Sequence, residues 1–543
     1  MDSINKKGIW ILIIVPIIFH ILQISRFAIN YPISDEFRDI LEPFVYFDKA
    51  DTLKTKIFYL FLPENESIPA FLRAVTIIFE KLTGQINFIH LLAFGNLFVF
   101  LLFWVYYKVY SGGKNLYALA IASICIFNAC LYESTSRSDI TIYQISSIAL
   151  SFLVFYLLAF NEEKLGTSKK VVLLVALTIL PFTNGNGFFT IVLSMLYLAL
   201  YRKDNFWRVL LPIFIIQVAL YVYFASPSHR EGTIGLIIRY NYQLIIATFI
   251  LCGGIFQIFS GDTGLVMTFI AGLFLTIFPA IVLLKAIRTK KYHFETLVFI
   301  FVMLSVAAIL VKRYNYFLAG YFSVLSPHYK IFSMMLFILN VQLFFNYVKS
   351  NLLKIAVLIL AISLNLIWFI KTKPALQEQA KNQITELINI ENKMINSSVK
   401  DFYMPSQANY EYLKSRDIFH PKELISRINY EINNNARQTA ADFELTEVTY
   451  EDFEKREWAY NKEKIYKISV KGKFDRNYSY YFQIIDKDQR YILTEAKPEA
   501  ISFIDRVKNK FPYSASLNED VYLGVYNIGK PVQVKVIECK NFY

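Results

Sequence analysis

The chain has 543 residues, 55% of them hydrophobic and 17% aromatic, with a mean hydropathy of +0.39. This composition excludes a water-soluble globular protein and makes a polytopic membrane protein the default class. The net charge of +13 is not a nucleic-acid footprint. It gathers in short connectors between apolar runs (Lys6 and Lys7, Lys108 and Lys114, Lys169 and Lys170, Arg202, Lys203 and Arg208, Lys349 and Lys354, and "KAIRTKKYH" at 285–293), the pattern of loops retained in the cytoplasm.

Residues 8–25, "GIWILIIVPIIFHILQIS", form the first span, since roughly 20 apolar residues cross the hydrocarbon layer. No cleavage site follows, so it is expected to remain as an anchor. Then comes "ISDEFRDI" at 33–40, with Asp35, Glu36 and Asp39 at a membrane edge. It opens an outer loop over 29–87 that also carries Glu64 and Glu66 in "LPENESIPAFLRAVTIIFEKLTG". Phe71, Leu72, Val75, Ile78 and Phe79 recur at helical spacing, which predicts an interfacial helix. A structural alternative for the acidic stretch is a helix start, with Ser34 as N-cap and both acids favoured by the dipole. Glu64, Asn65 and Glu66 also suit a solvated loop.

Spans are expected near 8–28, 88–107, 116–132, 141–160, 171–182, 187–201, 209–225, 264–285, 295–311, 331–348 and 354–370, about eleven crossings. Keeping the 285–293 loop inside requires 241–259 to be re-entrant or surface-lying, with "CGG" at 252–254 as a helix break. The interiors of these runs hold almost no charge. His20, His90 and the amides of Asn96, Asn128, Gln144, Gln217, Asn340 and Asn365 are their polar content, and both histidines are expected to hydrogen-bond within the bundle. Cys125, Cys130, Cys252 and Cys539 show no metal-ligand spacing and no disulfide framework.

Charge concentrates instead in the outer loops. "YESTSRSD" carries Glu133, Arg137 and Asp139; "FTNGNG" at 182–187 and "SPSHREG" at 226–232 follow; "KRYNYFLAGYFSVLSPHYK" carries Lys312, Arg313, His328, Tyr329 and Lys330. A carboxylate there can deprotonate an acceptor hydroxyl, while Arg, Lys or His neutralises a lipid-linked phosphate. Interfacial snorkelling is the structural alternative for Lys312 and Arg313.

After Lys371 the pattern changes. Residues 375–398 are expected as an amphipathic helix with Leu376, Ile384, Leu387, Ile388 and Ile390 on one face. From about 440 a period of two in "KIYKISVKGKF", "YSYYFQIID", "YILTEA" and "VQVKVIE" predicts strands, with Val532, Val534 and Val536 on a buried face. The expected organisation is a membrane domain over 1–371, a helical connector over 372–440 and a β-rich, sandwich-like domain over 441–543.

This layout resembles the GT-C superfamily of integral-membrane glycosyltransferases, including the protein O-mannosyltransferase-like and aminoarabinose-transferase-like families. Its members carry an acidic motif, often Asp-Glu, at the start of a large first outer loop, matched here by Asp35-Glu36. A bacterial group within this layout is matched more closely by "ENESIPAFLR", "FTNGNGFF", Arg313, Gly320, "SPHYKIFS" and "YMPSQANYEYLKSRDIF", over most of residues 1–420. The His-Arg that follows the Asn-Glu motif in that group is absent, and His328 or Lys330 replaces its usual late cation. The resemblance implies a mainly α GT-C-like fold in a bacterial cytoplasmic membrane, with N-terminus inside and C-terminal domain outside.

It also implies an inverting transferase with Asp35 as base and Glu36 as supporting acid. Arg313, His328 and Lys330 are implied for the donor phosphate, flanked by Tyr329, and Glu133, Arg137, Asp139, Glu64 and Glu66 are further substrate-binding candidates. The partners implied are a polyprenyl-phosphate sugar, a glycan, lipid or protein acceptor and membrane lipid, without nucleic acid. No cofactor is demanded, and a divalent cation is an allowed addition without a recognisable ligand set. A flippase or carrier of lipid-linked sugars, or a non-catalytic envelope-assembly scaffold, are the alternatives.

Overall fold

A computed structural model describes residues 2–64, 67–110, 115–160, 165–224, 240–259, 261–289, 291–313, 321–348, 350–392, 407–430, 436–440, 443–448, 465–473, 478–486, 491–495, 516–524 and 531–540. The chain divides into two compact units. One comprises Met1–Ala28, Tyr46–Ile78 and His90–Leu376; the other comprises Ile29–Val45, Phe79–Ile89 and Gln377–Tyr543.

The first unit is helical. Among the described residues, nine helices are long and apolar enough to cross a membrane: Lys7–Phe27, Phe88–Tyr110, Leu116–Ser136, Ser138–Ala159, Trp207–Phe224, Gly261–Thr289, His293–Lys312, Pro327–Tyr347 and Asn351–Glu391. Two further expected crossings, 171–182 and 187–201, form the helices Thr167–Thr183 and Gly187–Tyr197, the latter extended by a π-turn to Arg202. At 17 and 16 residues these fall short of the roughly 20 that a bilayer requires.

Small polar side chains tie the bundle together where apolar packing alone would not fix register. Ser123 Oγ donates to Ile13 O at 2.7 Å, and Asn340 Nδ2 donates to Leu275 O at 2.9 Å. Pro181 lies inside the helix Thr167–Thr183 and has no N–H for the carbonyl four residues earlier. That carbonyl, Leu177 O, accepts instead from Gln217 Nε2 at 3.1 Å, which also donates to Thr178 O at 3.0 Å. His20 pairs with Asn96 Oδ1 at 3.1 Å as expected within the bundle. His90 is exposed on its helix.

The segment expected to be re-entrant is a 12-residue helix, Asn241–Cys252, about 18 Å long at 1.5 Å per residue and too short to cross alone. It stops at Gly253 and passes through a 3-10 turn, Gly254–Phe256. Glycine is required here by backbone contact. A Cβ on Gly253 would lie 1.8 Å from Thr268 O, and one on Gly272 would lie 1.7 Å from Phe249 O. The residues expected as a separate amphipathic helix over 375–398 instead continue the last span: one helix runs Asn351–Glu391, because Pro374 fails to break it. Its face is as read, with Leu376, Ile384, Leu387, Ile388 and Ile390 all buried. Glu295, in the first turn of His293–Lys312, is buried.

The second unit is knit by side chains clasping backbone. Asn30 Oδ1 accepts from Phe88 N at 2.9 Å, Ile86 N donates to Ile418 O at 2.8 Å, and Tyr31 packs against Phe37 and Phe419. Its strands are β1 (Arg437–Ala440), β2 (Phe443–Val448), β3 (Ile465–Lys473), β4 (Tyr478–Asp486), β5 (Tyr491–Glu495), β6 (Ser516–Gly524) and β7 (Pro531–Lys540). They form two antiparallel sheets, ordered β1-β7-β4-β5 and β2-β3-β6. The four segments with period two are β3, β4, β5 and β7. The strands β1, β2 and β6 carry too many charged and polar residues for that pattern to stand out. Val534 and Val536 are buried as expected, and the side chain of Val532 lies outside the described residues. Asn389 locks the connector helix to β5 by exchanging two hydrogen bonds with the Leu493 backbone, each 2.8 Å.

Candidate functional site

Glu133 and His328 meet in the first unit although their loops are far apart in sequence. A helical turn, Tyr132–Ser136, presents Glu133 beside a 3-10 turn, Pro327–Tyr329. Glu133 Oε2 accepts the His328 backbone N–H at 3.1 Å and lies 3.0 Å from His328 Nδ1; Ser326 Oγ is 3.5 Å away. Gln144 Nε2 donates to His328 O at 3.0 Å from the π-turn Thr141–Ile145, and Ser134 Oγ donates to the same carbonyl at 3.4 Å.

Arg137 closes the acidic side of this cluster. It reaches Asp139 through Nη2 at 2.6 Å and Nε at 3.1 Å, and Glu133 through Nη1 at 3.6 Å. Arg137 and Asp139 are both buried, so their bidentate pairing compensates a desolvation cost of several kcal/mol per ion. Glu133, Arg137, Asp139 and His328 therefore satisfy one another and fix two loops.

Lys330 is different. It opens the helix Lys330–Tyr347, is 5% exposed, and makes no ion pair with any described acid. Its Nζ stands 3.9 Å from the centroid of the Trp368 ring. The indole is held by Nε1 donating to Ile255 O at 2.8 Å, in the turn that follows the Gly253 break. Lys371 Nζ lies 5.2 Å from the same ring and donates to Ile258 O at 2.8 Å and Gln257 O at 3.3 Å. The stem of Lys330 packs on Gly254, and Ser333 Oγ accepts from Ile255 N at 3.1 Å. The Lys330 ammonium thus lies buried at the positive end of a helix, on a ring face and outside any ion pair with a described carboxylate.

A second group of loops converges elsewhere in the same unit. A Cβ on Gly185, in the "FTNGNG" loop, would lie 3.7 Å from Lys312 Nζ and 3.8 Å from Ser67 Oγ. Asn186 of this loop accepts from Ser147 Oγ at 2.6 Å, one turn along from Gln144. Glu64 forms a tight backbone bridge with Ser67, its N–H donating to Ser67 O at 2.8 Å. Arg313 ends the helix His293–Lys312, donating its N–H to Ile309 O at 2.9 Å. Tyr329 precedes Lys330, with its N–H on Ser326 O at 3.0 Å. Glu66 and the "SPSHREG" loop lie outside the described residues.

Asp35 and Glu36 belong to the second unit. Ser34 does not cap a helix: it adopts a left-handed conformation, φ +50°, in the turn before the π-turn Phe37–Leu41. Glu36 takes the capping role in reverse, its Oε2 accepting Ile33 N–H at 2.8 Å from a buried position. Arg38 bridges the other two acids, Nη2 to Asp35 Oδ1 at 3.1 Å and Nε to Asp39 Oδ1 at 3.0 Å. Asp35 is partly exposed, so its ion pair is worth about 1 kcal/mol or less.

Trp368 and Lys371 were not singled out in the sequence. Their signal was present as "WFIK", since a spacing of three places indole and ammonium on one helix face. No group of three or more His, Cys, Asp or Glu side chains able to hold a metal occurs among the described residues. No known protein family, curated protein or solved structure matches the chain.

Proposed function

We propose that this membrane protein is a glycosyltransferase that moves a sugar from a polyprenyl-phosphate donor to a cell-envelope acceptor on the outer face of a bacterial cytoplasmic membrane. The observation that carries the reading is Lys330, a buried cation without an acid partner among the described residues, set on Trp368 beside an ion-paired loop cluster. A phosphate ester supplies the missing negative charge. In transfer, the acceptor oxygen bonds to the anomeric carbon, the bond from that carbon to the phosphate oxygen breaks, and the electron pair leaves with the lipid phosphate. Lys330 stabilises the charge that develops on this leaving group. Neighbouring Glu133, Arg137 and Asp139 position Lys330 by fixing the 326–330 turn. A GT-C-like bundle followed by an extracytoplasmic, sandwich-like β domain, with the N-terminus in the cytoplasm, belongs to the same proposal.

A separate element of the proposal is Asp35 as the base that takes the acceptor proton. Its support is chemical: a partly exposed carboxylate held in a weak pair, on a turn anchored by Glu36. The test incubates reconstituted protein with labelled polyprenyl-phosphate sugars and an envelope-glycan extract. Turnover by wild type and its loss in Lys330→Gln support the reading; undiminished turnover in that variant sinks it.

A carrier of lipid-linked sugars is the second reading, favoured by one observation. Glu295 is buried in the first turn of the helix His293–Lys312 and hydrogen-bonded by Gln342 Nε2, an ionisable group that the transfer reaction does not use. Vesicle uptake of a labelled lipid-linked sugar without covalent transfer would select it.

A further inference from the structure

His328 commits one ring nitrogen to the protein. Its Nδ1 lies 3.0 Å from Glu133 Oε2 and 3.0 Å from Ser326 Oγ, which donates to the same carboxylate at 3.5 Å. A carboxylate oxygen only accepts, so the proton shared with Glu133 sits on Nδ1. Nε2 makes no hydrogen bond with a described residue, and the side chain is 24% exposed. The turn itself is held through the main chain. The His328 N–H goes to Glu133 at 3.1 Å, and its carbonyl takes Gln144 Nε2 at 3.0 Å and Ser134 Oγ at 3.4 Å. An imidazole oriented by a carboxylate on a fixed turn has the support that an acid–base histidine requires. The charged and titratable groups around it are Glu133, Arg137 at 3.6 Å from that carboxylate, Asp139 on Arg137, the Tyr329 ring at 4.0 Å and Lys330, on which Glu133 also acts electrostatically.

The turn Pro327–Tyr329 runs directly into Lys330. In a displacement at the anomeric carbon the acceptor enters on the face opposite to the departing group. A histidine two residues from the cation that holds the phosphate therefore serves the departing phosphate and not the acceptor. Resting on the reading that Lys330 receives the donor phosphate, we infer that His328, oriented by Glu133, is the catalytic acid that protonates that phosphate as it leaves. The acceptor oxygen bonds to the anomeric carbon while the bond from that carbon to the phosphate oxygen breaks with its electron pair. The Nε2 proton passes to a phosphoryl oxygen. The products are the glycoside and the lipid hydrogen phosphate, and neutral His328 recovers its proton from solvent. An imidazolium and a phosphate monoester titrate within about one unit of each other, so this proton transfer is close to balanced. Glu133 is a positioning residue, acting through the ring it holds.

The experiment compares full-length wild type, His328→Gln and His328→Asn in nanodiscs, with labelled farnesyl phosphoglucose as donor and an envelope-glycan extract as acceptor. Gln places an amide donor near the Nε2 position but has no proton to give up; Asn places one near Nδ1 and keeps the bond to Glu133. The expected result is a melting midpoint within about two degrees of wild type in both variants. His328→Gln binds farnesyl phosphoglucose within about threefold of wild type, while kcat falls by about a hundredfold in both variants. The wild-type rate falls as pH rises and the imidazolium is lost, and that fall is missing from His328→Gln. Undiminished kcat in either variant overturns the assignment. So does weakened binding with kcat preserved, which would make His328 a phosphate ligand only, and so does a drop in melting midpoint that accounts for the lost turnover. The underlying reading fails separately, if Lys330→Gln binds farnesyl phosphoglucose as well as wild type does.

Discussion

Glu133 Oε2 takes the backbone N–H of His328 at 3.1 Å and faces its Nδ1 at 3.0 Å, joining two loops that lie 195 residues apart. One carboxylate therefore sets the path of the turn that leads directly into Lys330. Loop fixation of this kind distinguishes the residues that build the cluster from Lys330, which pairs with no described acid.

Glu133→Gln should destabilise the protein by about 1–3 kcal/mol, the cost of unsatisfied partners at a partly buried acceptor. Arg137 loses one of its two acids, and His328 keeps at most a neutral bond. Thermal unfolding in detergent, followed by size-exclusion chromatography of heated samples, measures the loss. An unchanged midpoint would show that Gln144 and Ser134 hold the turn without Glu133.

Lys330→Gln should weaken donor binding by a hundredfold or more, about 3 kcal/mol, as removal of a buried charged contact does. Lys330→Arg should recover only part of it, because a planar guanidinium presents its donors in a different geometry from an ammonium. Folding should survive both changes, since no described acid loses a partner. Titration with a labelled lipid-phosphate sugar reads the affinity.

Gly253→Ala and Gly272→Ala should each cost about 3 kcal/mol or prevent folding, because the added methyl would overlap a backbone carbonyl. Gly8→Ala is the matched control, with nothing within 4 Å of its Cβ position. Expression level and melting midpoint in the three variants should fall into two classes. Equal behaviour would mean that the helices Asn241–Cys252 and Gly261–Thr289 separate easily.

Asp35→Asn and Glu36→Gln should part company. The first should reduce turnover by a hundredfold or more, about 3 kcal/mol of barrier, while leaving the melting midpoint within a degree or two. The second should act on stability, because buried Glu36 holds Ile33 N–H at 2.8 Å. Parallel activity and stability losses in Asp35→Asn would reassign Asp35 to pairing with Arg38.

Tyr31 gives an alkaline signature. Its hydroxyl is fully buried without a hydrogen-bond partner, and burial, with the charges of Glu386 and Glu391 and the neighbouring Tyr410, holds it well above the ordinary phenol value of 10.0. The phenol ionises more readily unfolded than folded, so its contribution to stability is complete below pH 10 and is lost as pH rises through the folded value. Tyr31→Phe should flatten that alkaline loss and, by removing an orphan hydroxyl, stabilise at neutral pH by about 1 kcal/mol. Hydrogen exchange over residues 29–45 at pH 7 and above pH 10 tests both parts.

Local composition determined most of the architecture. Runs of apolar residues long enough to cross a bilayer placed the long helices, the pair of glycines at 253–254 placed a break, and alternation placed β3, β4, β5 and β7, because each of these signals lies within a few neighbouring residues. The same signals ran out where charge interrupted the pattern, at β1, β2 and β6, and where Pro374 lay within a helix that continues through it. Charge at the membrane edge marked Glu133, Arg137, Asp139, His328 and Lys330 as candidates without ranking them. Only the tertiary structure did so, since whether a charge is satisfied depends on partners brought from distant segments. Glu133 finds His328 across 195 residues, and Arg137 closes on Asp139, while Lys330 meets the ring of Trp368 and no acid. Pairing through space is not encoded by neighbours along the chain, and it separates the paired charges from a cation without a described acid beside it.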